Sequence, residues 1–235
     1  MTDQPALRAV EVSKDYGDGP ALYPLTLSIG AGERVALIGH NGSGKTTFLR
    51  IAAGLLDADH GQISLFGSSP NEIEARRRFS FLADTPTFYD DLSVWEHLEY
   101  VARLHGTKRW EQRASDLLGR LGLFDRADEL PARFSRGLRQ KAAIALGLIR
   151  PFDLLLVDEP FVGLDAEGRE TLLELLDESH RIGSTLIVAT HELAFVDSTD
   201  RTIALRDGTV IFDGESSQAR ARGLVSTEGT NTPGE

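Results

Sequence analysis

Gly39-His40-Asn41-Gly42-Ser43-Gly44-Lys45-Thr46 is the stretch from which the rest of this chain is read. It fits the spacing G-x-x-x-x-G-K-[ST], directly after the apolar run 35–38 and directly before a helix-forming stretch at 45–55. Glycines let successive backbone N–H groups turn toward one anion. The helix that follows adds its unsatisfied N-terminal donors and the positive end of its dipole. Lys45 then supplies a point charge for β and γ phosphates, and the Thr46 hydroxyl a ligand for Mg²⁺. Lysine is scarce here, four (Lys14, Lys45, Lys108, Lys141) among 25 cationic side chains, and one of the four stands where the pattern needs it. A plain glycine-rich turn between strand and helix shares the bare spacing, but the flanking strand and helix favour phosphate binding.

Working outward, residues 154–159 read Leu-Leu-Leu-Val-Asp-Glu, an apolar strand that delivers two adjacent carboxylates to the rim of a sheet. Asp158 is placed to hold Mg²⁺, and Glu159, one residue on, to polarise an attacking water. Short apolar runs at 22–29, 35–38, 154–157, 186–189 and 202–205 read as strands, each bounded by Gly, Pro or charge. Helical periodicity marks 45–55, 94–105, 110–121, 138–149 and 166–180, and Ser93-Val94-Trp95-Glu96 is a capping-box pattern. Strand and helix alternate near both ends, which predicts an α/β fold with a mostly parallel sheet. From about 84 to 150 only helices are legible, a helical subdomain inserted in the core. One more short helix fits at 215–220, and 226–235 reads as a frayed tail.

At 235 residues, 41% hydrophobic and 26% charged, the composition is that of a globular chain. The longest apolar run, 142–149, is far short of a bilayer span. No cysteine is present, which excludes thiol nucleophiles and thiolate metal sites. The opening Met1-Thr2-Asp3-Gln4-Pro5 is unlike a secretory signal and points to a cytoplasmic address. A net charge of −11 argues against broad attraction to nucleic acid, and no direct nucleic-acid partner is expected.

Taken together the motifs resemble the nucleotide-binding subunit of the ATP-binding cassette (ABC) family, over residues 6–214, with 215–235 a short extension. The resemblance implies a P-loop NTPase core, an N-terminal antiparallel β portion and the helical insertion at 84–150. Residues 39–46, with Thr47 beside them, then form Walker A, and 154–159 Walker B. Phe134-Ser135-Arg136-Gly137-Leu138 takes the position of the signature, Val162-Gly163-Leu164-Asp165 that of the D-loop, and His191 that of the switch histidine. Tyr16 matches the aromatic that stacks on adenine. By the same resemblance Glu159, His191 and Lys45 are catalytic. Tyr16, Gly39, His40, Asn41, Gly42, Ser43, Gly44, Lys45, Thr46, Thr47, Asp158, Ser135, Gly137 and Asp165 bind ATP, and Thr46, Asp84 and Asp158 hold Mg²⁺.

Bottom-up, Ser135 is a helix cap whose helix N-terminus is a second anion-binding end, His191 ends an apolar strand near the same rim, and Tyr16 is either a base platform or packing. The family's geometry turns the signature toward a partner's nucleotide in a head-to-tail dimer, either a homodimer or a pair with a paralogous ABC subunit. Three departures stand out. Arg136 occupies the position of a glycine, Leu138 that of a usual glutamine, and Asp84 that of the Q-loop glutamine. Ser-Arg-Gly resembles the ABC-2, exporter branch, whose ATPases pair with separate integral membrane subunits and lie peripherally at the inner face of the cell membrane. The expected function is therefore an ATPase that energises export. The alternative is a soluble ABC-type clamp without transport. Phe88, Tyr89, Leu92 and Trp95 serve either as a docking surface for a membrane partner or as the insertion's own core.

Overall fold

A computed structural model describes residues 4–224; the stretch 226–235 lies outside them. The central feature is a six-stranded sheet. Its strands are β3 (Arg34–Ile38), β5 (Phe79–Leu82), β6 (Leu154–Asp158), β7 (Thr185–Ala189), β8 (Arg201–Arg206) and β9 (Thr209–Glu215), in the order β5-β6-β7-β3-β8-β9. Every pairing but β8 with β9 is parallel. A separate antiparallel sheet, in the order β2-β1-β4, is made by β1 (Leu7–Asp15), β2 (Pro20–Ile29) and β4 (His60–Leu65).

Alternation along the fully buried strands sorts the core into two halves. Ala36, Ile38, Leu155, Val157, Leu186 and Val188 face one way, toward α5 (Arg136–Leu148), α6 (Ala166–Arg181) and the helices packed with them. Val35, Leu37, Leu154, Leu156, Ile187 and Ala189 face the other, toward α1 (Lys45–Ala52) and the antiparallel sheet. A strand buried on both faces needs apolar residues at every position, which is why β3, β6 and β7 read as unbroken apolar runs. Arg201 links the sheets: it donates to Asp213 through both Nε (2.7 Å) and Nη2 (2.8 Å), to Glu33 (2.8 Å), and to the Ser28 carbonyl (2.9 Å).

Between β5 and β6 the chain is helical, as its periodicity indicated, with α3 (Val94–Leu104), α4 (Trp110–Arg120) and α5, and two short 3-10 turns between α4 and α5. The capping box forms in full: Ser93 Oγ accepts from Glu96 N at 3.2 Å, and the Glu96 carboxylate accepts from Ser93 N at 2.8 Å. The apolar residues of these helices join the core half that covers the sheet. Phe88 and Trp95 pack against that core, whereas Tyr89 is 55% exposed. Phe88 and Trp95 thus belong to the insertion's own core, and Tyr89 is left at the surface.

Several elements went unread. The strands β1, β4, β5 and β9, together with α2 (Ile73–Arg78) and α7 (Leu193–Asp197), are short, or carry their apolar residues in interrupted or short runs. Helix α5 begins two residues earlier than its apolar pattern, because Ser135 caps it and Arg136 and Gly137 fill its first turn. The short helix expected at 215–220 is α8 (Ser216–Ala221).

Candidate functional site

Parallel register brings four loops to one rim. Leu37 and Asp158 both pair with Ala189, and Leu82 pairs with Val157, so the segments after β3, β5, β6 and β7 all leave the sheet at the same end. Loops at the carboxyl ends of parallel strands are where such sheets bind ligands. A cleft of about 700 Å³ opens there, lined by Tyr16, residues 41–47, Asp84, Arg136, Glu159, Val162 and His191, with Ala21 beside Tyr16.

The turn after β3 is held open by backbone conformations that glycine alone adopts without strain. Gly44 has φ 103°, and a β-carbon there would stand 2.7 Å from both the Ala21 carbonyl oxygen and Leu22 Cδ2. At Gly39, with φ 149°, it would stand 2.2 Å from the Leu205 carbonyl oxygen. Gly44 is also the N-cap of α1, and no side chain caps that helix, so its first N–H groups face the cleft without an internal acceptor. Ser43 Oγ is buried there without a partner. Lys45, 5% exposed, donates to the carbonyls of Gly39 and, at 3.4 Å, of His40.

Lys45 Nζ also stands 3.5 Å from Glu159 Oε1, and His191 Nε2 stands 3.3 Å from the same oxygen. Neither approach completes a hydrogen bond, so Oε1 is buried and unsatisfied. Glu159 itself has φ 46°, while its N–H is fixed by the Ala189 carbonyl at 2.8 Å. Left-handed backbone at a non-glycine residue costs about 1–3 kcal/mol and persists where its surroundings enforce it. Asp158 lies just behind, 1% exposed, with Oδ1 unpartnered. Burial pushes its carboxyl above the ordinary range; a hydrogen bond with Thr46 opposes that, and the charges of Asp84 and Glu159 add to it. An orphaned buried carboxylate oxygen next to a threonine hydroxyl is a donor set suited to Mg²⁺. Among the described residues no group of three or more His, Asp or Glu is arranged to hold a metal by itself, which fits an ion shared with phosphate oxygens.

The expected residues fall into three groups. Tyr16, Asn41, Gly42, Ser43, Gly44, Lys45, Thr46, Thr47, Asp84, Glu159 and His191 meet in the cleft. Asp158 lies buried behind it, while Gly39 and His40 adjoin it through the carbonyls that accept from Lys45, with the exposed His40 Nε2 3.2 Å from Asp207 Oδ1. Ser135, Gly137 and Asp165 do not line it. Ser135 Oγ caps α5 by accepting from Leu138 N at 3.4 Å, and Asp165 caps α6 by accepting from Gly168 N at 3.0 Å. The Asp165 carboxyl is held below its ordinary range, first by the Lys141 ammonium, 3.0 Å away. Gly137 allows a close approach: a β-carbon there would be 2.6 Å from the Gly163 carbonyl oxygen. Ala21 and Val162 also line the cleft, and apolar side chains of that kind carry no chemical signal in a sequence.

A P-loop fold with a phosphate turn, a paired-acid strand end and a histidine on one rim defines a nucleoside-triphosphatase. The family model "ABC transporter" matches residues 22–162. The chain is 35% identical over 210 residues to the SkfA peptide export ATP-binding protein SkfE of Bacillus subtilis, with 88% of each chain covered. It is 38% identical over 223 residues to the aliphatic sulfonates import ATP-binding protein SsuB of Cupriavidus necator, covering 92% of this chain and 71% of that protein. A solved ATP-binding cassette, a dimer in a post-hydrolysis state bound to ADP and Pi, superposes with a TM-score of 0.80 at 26% identity, over 89% of this chain and 98% of the other. The chain belongs to the ABC transporter family, as an ATP-binding, ATP-hydrolysing subunit.

Proposed function

We propose that this subunit energises export across a membrane by closing head-to-tail with a second ABC subunit over two ATP molecules. The observation that carries the reading is the convergence of Lys45 and His191 on Glu159, at 3.5 and 3.3 Å, beside the uncapped N-terminus of α1. The turn 39–46 and that terminus bind the β and γ phosphates through backbone N–H groups, with Lys45 moving from its own loop's carbonyls onto the phosphate. Thr46 and Asp158, with Asp84 nearby, would hold Mg²⁺, which would supply charge neutralisation for the triphosphate. With Oε1 turned toward Lys45 and His191, Glu159 takes the proton of the attacking water on Oε2. His191 orients the carboxylate and the γ phosphate. Tyr16 stacks on the base. Ser135, Gly137 and Asp165, which lie off this cleft, act on the partner subunit's nucleotide.

No helix among the described residues is long and apolar enough to cross a membrane. In this reading the solute path is made by membrane-spanning subunits on whose cytoplasmic face this subunit works, as membership of the ABC transporter family supports. Likeness to a peptide export protein and the Ser-Arg-Gly signature support the outward direction. The test is an affinity pull-down from detergent-solubilised membranes with the Glu159→Gln variant and MgATP. Recovery of a polytopic membrane protein is expected. Recovery of soluble proteins alone would put the soluble clamp in its place.

A further inference from the structure

Asp84 and Arg136 line the same two cavities. Both line the nucleotide cleft and an adjoining cavity of about 330 Å³ that includes Pro86, Arg139 and Gln140, without an ion pair within 4 Å between them. Both side chains are exposed. Asp84 accepts one long hydrogen bond, from the Thr85 hydroxyl at 3.5 Å. The stem of Arg136 lies along Gly163, its Cγ 3.4 Å and Nε 3.7 Å from where a β-carbon would stand, an ordinary van der Waals separation.

The cleft's charge balance gives this placement a consequence. Lys45 and Arg136 are the lysine and arginine that line it, Asp84 and Glu159 are its carboxyl groups, and Asp158 stands behind. Without Arg136, a single cation would face three carboxyl groups in a cleft that has to accept a polyanion. We propose that Arg136 is a positioning residue for its own subunit's cleft, its guanidinium offsetting the Asp84 carboxylate across the two cavities and so maintaining affinity for a nucleoside triphosphate before a second subunit arrives. The proposal rests on the nucleotide-binding reading of the cleft. It differs from the partner-facing role of Ser135 and Gly137 because it acts within one chain.

Both groups are solvated, so the effect is modest, about three- to tenfold in affinity at low salt. The experiment is calorimetric titration of the full chain with ATP and EDTA, at protein concentrations where it is a single subunit. Because the two charges act additively on a bound polyanion, Arg136→Gln is expected to weaken ATP binding by about three- to tenfold, Asp84→Asn to tighten it by a similar factor, and the double variant to stay within about twofold of the natural chain. Arg136→Lys, which keeps the charge, is expected to stay within about twofold of the natural chain. No loss in Arg136→Gln, or a double variant as weak as Arg136→Gln alone, would overturn the offset. Failure of the unaltered chain to bind ATP would overturn the nucleotide reading itself.

Discussion

At the scale of single residues, the site joins costs in folding to chemistry. Glu159 keeps a left-handed backbone and an unsatisfied carboxylate oxygen, and Asp158 keeps a second one almost wholly out of water. Because burial raises the Asp158 carboxyl in the folded chain, its favourable contribution is complete below the unfolded value, about 3.9, and is lost as pH rises through the folded one. At neutral pH without Mg²⁺ this residue therefore destabilises the fold. Asp158→Asn is expected to raise the melting temperature of the nucleotide-free protein at pH 7 by about 2–4 °C, the shift that about 1 kcal/mol produces in a chain of this size. That gain should shrink below about pH 4, where the natural residue is itself protonated. Differential scanning calorimetry at the two pH values checks the sign. Asp158 and Glu159 were legible in the sequence because residue type and strand end coincide. The Glu159 backbone was not, since it depends on how β6 leaves the sheet beside Ala189 of β7. The Arg136 stem along Gly163 was not either, since two separate loops create it.

At the scale of elements, legibility followed burial. The strands β3, β6 and β7, buried on both faces, announced themselves as apolar runs. By contrast β1 breaks its alternation at a bulge around Val10 to Ser13, β4 has an exposed first half, and β5 is only four residues long. Pairing, not pattern, makes these into strands, and pairing partners distant in sequence leave no local mark. Helix starts were better specified. The Ser93-Glu96 box was readable from spacing and is present with both bonds, so Ser93→Ala is expected to cost about 1 kcal/mol. Thermal melting should show a fall of about 2–4 °C, with ATP affinity unchanged, because Ser93 lies outside the cleft. An unchanged melting temperature would mean that the α3 terminus is held by its apolar contacts instead.

At the scale of the whole molecule, the two core halves on either face of one sheet fix the four rim loops relative to each other. The residues implied by the family resemblance then separate into a set that lines or adjoins one chain's cleft and a set that stands off it, Ser135, Gly137 and Asp165. In the head-to-tail arrangement proposed above, a second ABC subunit would give the latter set a nucleotide to act on, and ATP, with its γ phosphate, would span both sets. The central claim is tested most directly by light scattering on the Glu159→Gln variant, with and without MgATP. The expected result is a species of twice the monomer mass with MgATP, the monomer with MgADP or no nucleotide, and no measurable hydrolysis. A monomer under all three conditions, or phosphate release at the natural rate, would contradict it.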